Sequence, residues 1–227
     1  TRSRFAFSKM EIQSRIESAA ARADRNSSSI TLVGASKTVS APRLATFFAS
    51  GLHDFGENYI QEGIEKVRFF REHNLGATWH FIGALQSNKA REAVAHFELI
   101  HSVDRVSLAR ELDKEARKIG KTQRVLLQVN LAGESSKAGV LPGELPALFE
   151  AISRFENLQI EGLMSLPPFL ENAEEMRPFH ARLRALRDDL NANLHHLSMG
   201  MSSDFEVAIE EGASLVRVGT ALFGSRS

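Results

Sequence analysis

Short apolar runs and longer amphipathic stretches alternate along the chain. Ile12, Ile16, Ala19 and Ala23 recur at helical spacing and predict a first helix with one buried stripe. The compact apolar run 30–35 follows, stopping at Ser36 and Lys37, and predicts a buried strand. Pro42 suits a first helical position and Gly51 a helix end, so they bracket the next helix. The rhythm then repeats, with a short strand over 53–56, a helix over 59–73 and a strand over 78–83. Helices are expected over 87–96 and 105–119, the second with Leu108, Leu112, Ala116 and Ile119 on one face.

The run 124–131, RVLLQVNL, is rich enough in aliphatic and β-branched residues to be a strand buried on both faces. A helix over 144–155, a strand over 158–165 and a helix from Pro178, striped by Phe179, Leu183, Leu186 and Leu190, continue the alternation. Residues 195–199, a helix over 204–211 and residues 214–218 complete it. About eight strand candidates, each followed by a helix, predict an α/β protein, a single (β/α)8 TIM-type barrel with an additional N-terminal helix. An open doubly wound sheet is the alternative. No linker, composition break or repeat divides the chain, so residues 1–227 are read as one domain.

Composition narrows the function classes. Lys and Arg number 28, as do Asp and Glu, which gives no electrostatic case for nucleic acid or an anionic membrane. Cysteine is absent, excluding disulfides, thiolate catalysis and Cys-ligated zinc, and agreeing with a reducing cytosol. No long uncharged apolar run occurs, and the start TRSRFAFSKM leads into a polar helical pattern instead of a signal-peptide core. A cytoplasmic location is expected.

In a parallel barrel, function gathers where strands end. Lys37 ends the first. A lysine there can lose hydration and expose the neutral amine that forms a Schiff base with an aldehyde; its bland counterpart is a solvated strand-end lysine. At the other end of the chain, SMGMSSD and RVGTALFG follow the last two strand candidates. Gly200, Ser202, Gly219 and Thr220 could let backbone N–H groups and hydroxyls cradle a phosphate, aided by a helix start. Against this, Ser203 and Glu206 fit a capping box, and Gly219 could serve an unusual turn angle. Once the barrel closes, the first strand neighbours the eighth, so amine and cradle would share one mouth.

Arg217 precedes Gly219 by two positions and is either a structural ion-pair partner or a cation facing a cofactor ring. Asn58 in FGENYIQE could cap a helix, with Gln61 three residues on, or contact a ligand. His80 reads as a core histidine, and His195 and His196 lack the spacing of a metal site, so no metal is assigned. Glu134, Ser135, Ser136 and Lys137 form a polar loop, a solvated turn or a lid. Walker, dinucleotide, HExxH and GxSxG motifs are missing.

Several longer motifs occur in order: LVGASKTVS, FGENYIQE, WHFIGALQSNK, SVDR, VLLQVNLAGESSKAGV, GLMSLPP and LSMGMSSDFEVAIEEGASLVRVGTALFG. Together they resemble the pyridoxal phosphate homeostasis proteins, whose barrel is similar to the N-terminal domain of alanine racemase. The resemblance implies that Lys37 carries pyridoxal 5'-phosphate as a Schiff base and that Arg217 faces the pyridine nitrogen. It implies phosphate contacts from Ser202, Gly219 and Thr220, with Asn58, Ser198 and Met199 as further pocket residues. The implied role is buffering or delivering the cofactor to pyridoxal phosphate-dependent apoenzymes, as a monomer and without strong catalysis or catalytic residues. A racemase or related weak pyridoxal phosphate enzyme is the runner-up. It is disfavoured because alanine racemase carries its second base, a tyrosine, on a further β domain. This sequence stops shortly after Phe223 and has only Tyr59. A phosphate-binding barrel without a Schiff base is a third class.

Overall fold

The computed structural model describes residues 9–134, 137–168, 170–190 and 193–224. Helix α1 (Lys9–Arg22) precedes an alternation of parallel strands and helices. In chain order these are β1 (Thr31–Ala35), α2 (Ala41–Ala49), β2 (Asp54–Glu57), α3 (Ile60–Glu72), β3 (Thr78–Phe81) and α4 (Ala90–His96). Then come β4 (Leu99–Val103), α5 (Val106–Lys118), β5 (Gln123–Val129), α6 (Leu145–Ile152), β6 (Leu158–Ser165) and α7 (Arg177–Asp189). The last are β7 (His196–Ser198), α8 (Phe205–Glu210), β8 (Leu215–Val218) and the single turn α9 (Thr220–Phe223). The strands close in sequence order, β8 pairing back onto β1, which rules out the open doubly wound sheet.

The elements follow the expected pattern with small shifts. In α1 the buried stripe is Ile12, Ile16, Ala19 and Ala20, with Ala23 lying just past the helix end. Ile119 does not join Leu108, Leu112 and Ala116 on the buried face of α5; it caps the helix and is 59% exposed. The strand that the sequence pattern leaves unplaced is β4, LIHSV, buried at every position.

Two apolar clusters divide the core. The larger fills the layer between strands and helices; the smaller, Val33, Leu99, Leu126, Met164 and Leu215, fills the barrel itself. Register explains the division, because residues paired across a sheet point to the same face. Val33 pairs with Asp54 on one side and Arg217 on the other, and Ser198 pairs with Met164 and Leu215. Asp54, Ser198 and Arg217 therefore enter the barrel interior along with the five apolar residues. Among the described residues no helix is long and apolar enough to cross a membrane.

Candidate functional site

β1 ends in a turn built from both sides. Ser36 N–H donates to Gly56 O at 2.9 Å and Val39 N–H to Ser36 O at 3.0 Å, so Lys37 projects from a fixed loop. Thr38 holds the left-handed φ of 67°, unusual for a β-branched residue. Its N–H donates to Glu62 Oε1 at 2.5 Å, from the first turn of α3. Beneath it, Lys66 Nζ donates to Ser36 O and Glu57 Oε1, both at 2.7 Å, and to Glu62 Oε1 at 2.6 Å. Ser36 Oγ also donates to Glu57 Oε1, while Glu57 Oε2 is buried without a partner. Burial pushes the Glu57 carboxyl up from its ordinary pKa, against the pull of Lys66. Lys37 itself is half-buried, and among the described residues its amine makes no hydrogen bond or ion pair. An amine so placed is free to condense with an aldehyde.

The end of β8 lies alongside. Gly219 backs onto β1 so closely that an added Cβ would meet Ala35 O at 3.2 Å, two residues before Lys37. Its φ is −111° and its ψ −85°, so no left-handed angle is involved, and the close approach favours glycine here. The N–H groups of Gly219 and Ala221 converge on Ser202 Oγ, each at 3.2 Å, and Thr220 between them is exposed. Two backbone donors, two hydroxyl-bearing side chains and a glycine thus line one corner of the mouth. α9 has four residues, so an anion at its start would meet local N–H groups and not a long helix dipole.

The loop supplying Ser202 is braced separately. Gly200 has φ 89°, and a Cβ there would meet Ala208 Cβ at 2.5 Å and Phe205 Cα at 2.9 Å. Its carbonyl accepts Arg217 N–H at 3.0 Å. Asp204, not Ser203, takes the position before α8: its Oδ1 accepts Met201 N–H at 2.8 Å and its Oδ2 pairs with buried His180 at 2.8 Å. The expected Ser203–Glu206 capping box does not form, since Asp204 already closes this turn. Similarly Asn58 does not cap α3, whose N-cap is Tyr59; Asn58 sits half-buried at the end of β2.

Arg217 and Ser198 lie deeper. The guanidinium donates from Nη1 to Ser198 Oγ and from Nη2 to Ser165 O at 2.8 Å. Burial lowers its pKa to about 10, which keeps it charged at neutral pH. No carboxylate lies within ion-pair distance of it among the described residues, so the structural ion-pair reading fails. Met199 points the opposite way from Ser198, into the layer under the helices, and only its main chain can face the mouth. His80 is buried as expected, yet it is not isolated: it contacts His101 and Asp54. Of the 134–137 loop, Ser135 and Ser136 lie outside the described residues; Glu134 and Lys137 pair at 3.0 Å. Asn130 Nδ2 donates to both their carbonyls. Glu57, Lys66 and His101 are the contributors that reading the sequence did not single out.

Comparison with known proteins places this geometry. A sequence profile of the alanine racemase N-terminal domain matches residues 8–227. The fold and the strand-end site define a barrel of that type. The pyridoxal phosphate homeostasis protein of Aquifex aeolicus is 48% identical over 216 residues, spanning 93% of this chain and 94% of that protein. Its namesake in Pseudomonas aeruginosa is 46% identical over 217 residues, spanning 95% and 93%. The chain belongs to the pyridoxal phosphate homeostasis protein family. The solved structure of PipY from Synechococcus elongatus, with PLP bound, matches at a TM-score of 0.82 and 39% identity, covering 94% of this chain and 100% of PipY. An alanine racemase from Clostridium difficile, at 12% identity and a TM-score of 0.73, covers 96% of this chain and 56% of its own and shares the fold alone.

Proposed function

We propose that this protein holds pyridoxal 5'-phosphate as a Schiff base on Lys37 and serves intracellular homeostasis of the cofactor, buffering or delivering it without strong catalysis. The observation that carries the reading is the juxtaposition across the β1–β8 seam. A free lysine amine ends one strand, and a corner of backbone N–H groups and hydroxyls ends the other. An aldehyde that also bears a phosphate matches both. Ser202, Gly219 and Thr220 take the phosphate, Arg217 faces the pyridine nitrogen, and Ser198, Asn58 and the main chain of Met199 complete the pocket. A cation in that position disfavours protonation of the ring nitrogen and so weakens the ring as an electron sink, which suits a carrier better than a carbanion-forming enzyme.

The binding of PLP by PipY and the naming of the relatives support the cofactor and the role. In this reading residues 1–227 act as one cofactor-binding barrel, monomeric and cytoplasmic, with pyridoxal phosphate-dependent apoenzymes as recipients. Titrating the purified protein with pyridoxal phosphate tests it. A visible absorbance band in the wild type that Lys37→Ala lacks supports the carrier, and its absence in both overturns it. Amino-acid α-proton exchange at ordinary enzyme rates, on the order of 10 per second, overturns the non-catalytic part.

A further inference from the structure

The barrel interior holds a continuous chain of polar side chains. Arg217 Nη1 contacts Ser198 Oγ; Ser198 Oγ lies 2.8 Å from His101 Nδ1; His101 Nε2 lies 2.9 Å from His80 Nδ1; and His80 Nε2 lies 3.0 Å from Asp54 Oδ1. The three middle members are buried, whereas Asp54, the first residue of β2, keeps 26% of its side chain exposed.

With both rings neutral, hydrogen-bond bookkeeping allows one direction for every link. A guanidinium only donates and a carboxylate only accepts, so the two ends of the chain are set. His80 must donate Nε2–H to Asp54, which leaves its Nδ1 as an acceptor if the ring is neutral. His101 then donates Nε2–H to His80 and accepts at Nδ1. Ser198, whose oxygen already accepts from Arg217, supplies its own hydrogen to His101. Every donor finds an acceptor, with both rings neutral and no link reversed. Burial, reinforced by the Arg217 and Arg124 guanidinium charges, holds His101 well below its ordinary pKa and keeps that ring neutral.

We propose that Asp54, His80, His101 and Ser198 form a one-way hydrogen-bond relay that runs from the start of β2 and positions the Arg217 guanidinium. Among the described residues Arg217 is a buried cation without an adjacent carboxylate, and such a charge depends on oriented dipoles for its stabilisation. The relay orients them. Asp54 sets the His80 tautomer, His80 sets that of His101, and His101 turns the Ser198 lone pair toward the guanidinium. Asp54, His80 and His101 are positioning residues, since on the cofactor placement proposed above only Ser198 and Arg217 adjoin the ring.

Nitrogen-15 spectra of the wild type without cofactor, at about pH 7.5, test the direction. Both rings are expected neutral with the proton on Nε2. A proton on Nδ1 of either ring, or an imidazolium, overturns the relay, and this holds whether or not any variant folds. Asp54→Ala tests the coupling: the His101 nitrogen signals are expected to shift along with those of His80. A His101 unchanged while His80 moves overturns it. In the same variant pyridoxal phosphate is expected to bind several-fold more weakly than in the wild type, and equal affinity overturns the positioning role. This last readout rests on the proposed function. A wild type that takes up no cofactor indicts that reading and leaves the two tautomer readouts to decide the relay.

Discussion

Lys66 Nζ lies 2.7 Å from the main-chain oxygen of Ser36, the residue immediately before Lys37. One ammonium thus ties α3 to the turn that presents the amine, while also answering Glu57 and Glu62. Removing it leaves the Glu57 carboxylate buried with its opposing charge gone. Such losses cost about 3–5 kcal/mol. Lys66→Met should lower unfolding stability in urea by that order and loosen Lys37. Adding Glu57→Gln should restore part of it, because the stranded charge is then gone as well.

Gly200 provides a sharper steric test. With φ at 89° and Ala208 Cβ 2.5 Å from where a Cβ would sit, alanine is excluded both by conformation and by contact. Gly200→Ala should cost more than about 1 kcal/mol, since both penalties add. It should also displace Ser202, so that affinity for pyridoxal phosphate falls alongside thermal stability.

Ser202 allows phosphate recognition to be separated from Schiff-base formation. If its hydroxyl and the neighbouring N–H groups hold the phosphate, Ser202→Ala should weaken binding of pyridoxal phosphate by about tenfold, or ~1.4 kcal/mol. Binding of pyridoxal, which has the aldehyde but no phosphate, should change little. Paired absorbance titrations of the two ligands measure the difference.

Acid should destabilise the fold before the carboxylates titrate. Burial lowers the pKa of both His101 and His196, so the folded protein keeps these rings neutral. The unfolded chain protonates them near pH 6.5. Below that value the unfolded state binds more protons, and stability falls as pH falls, by up to ~1.4 kcal/mol per pH unit for each ring. The loss continues down to the lowered folded pKa values. Above about pH 6.5 the two histidines contribute no pH dependence. Urea unfolding between about pH 5 and pH 8 follows this slope, and His101→Gln should flatten it.

Where apolar residues run unbroken, the sequence is easy to read. RVLLQVNL announced β5 because both faces of that strand are buried. LIHSV did not announce β4, since His101 and Ser102 interrupt its apolar character; His101 serves the barrel interior, which here is partly polar. The strand-end positions of Lys37 and Gly219 followed from topology once a barrel was assumed. The clamp beneath Lys37 did not, because Ser36 and Lys66 are 30 positions apart and only the fold joins them. Side-chain direction was the other blind spot. Ser198 and Met199 are adjacent in sequence, yet the first, ending β7, points inward and the second, just past it, enters the outer core.

The most direct measurement is the mass of the Lys37-containing peptide after the protein has been incubated with pyridoxal phosphate, reduced with borohydride and digested. A phosphopyridoxyl group is expected on Lys37, with Lys66 and Lys137 unmodified. Modification spread over surface lysines, or a Lys37 peptide of unchanged mass, would contradict the assignment of the β1–β8 seam as the cofactor site.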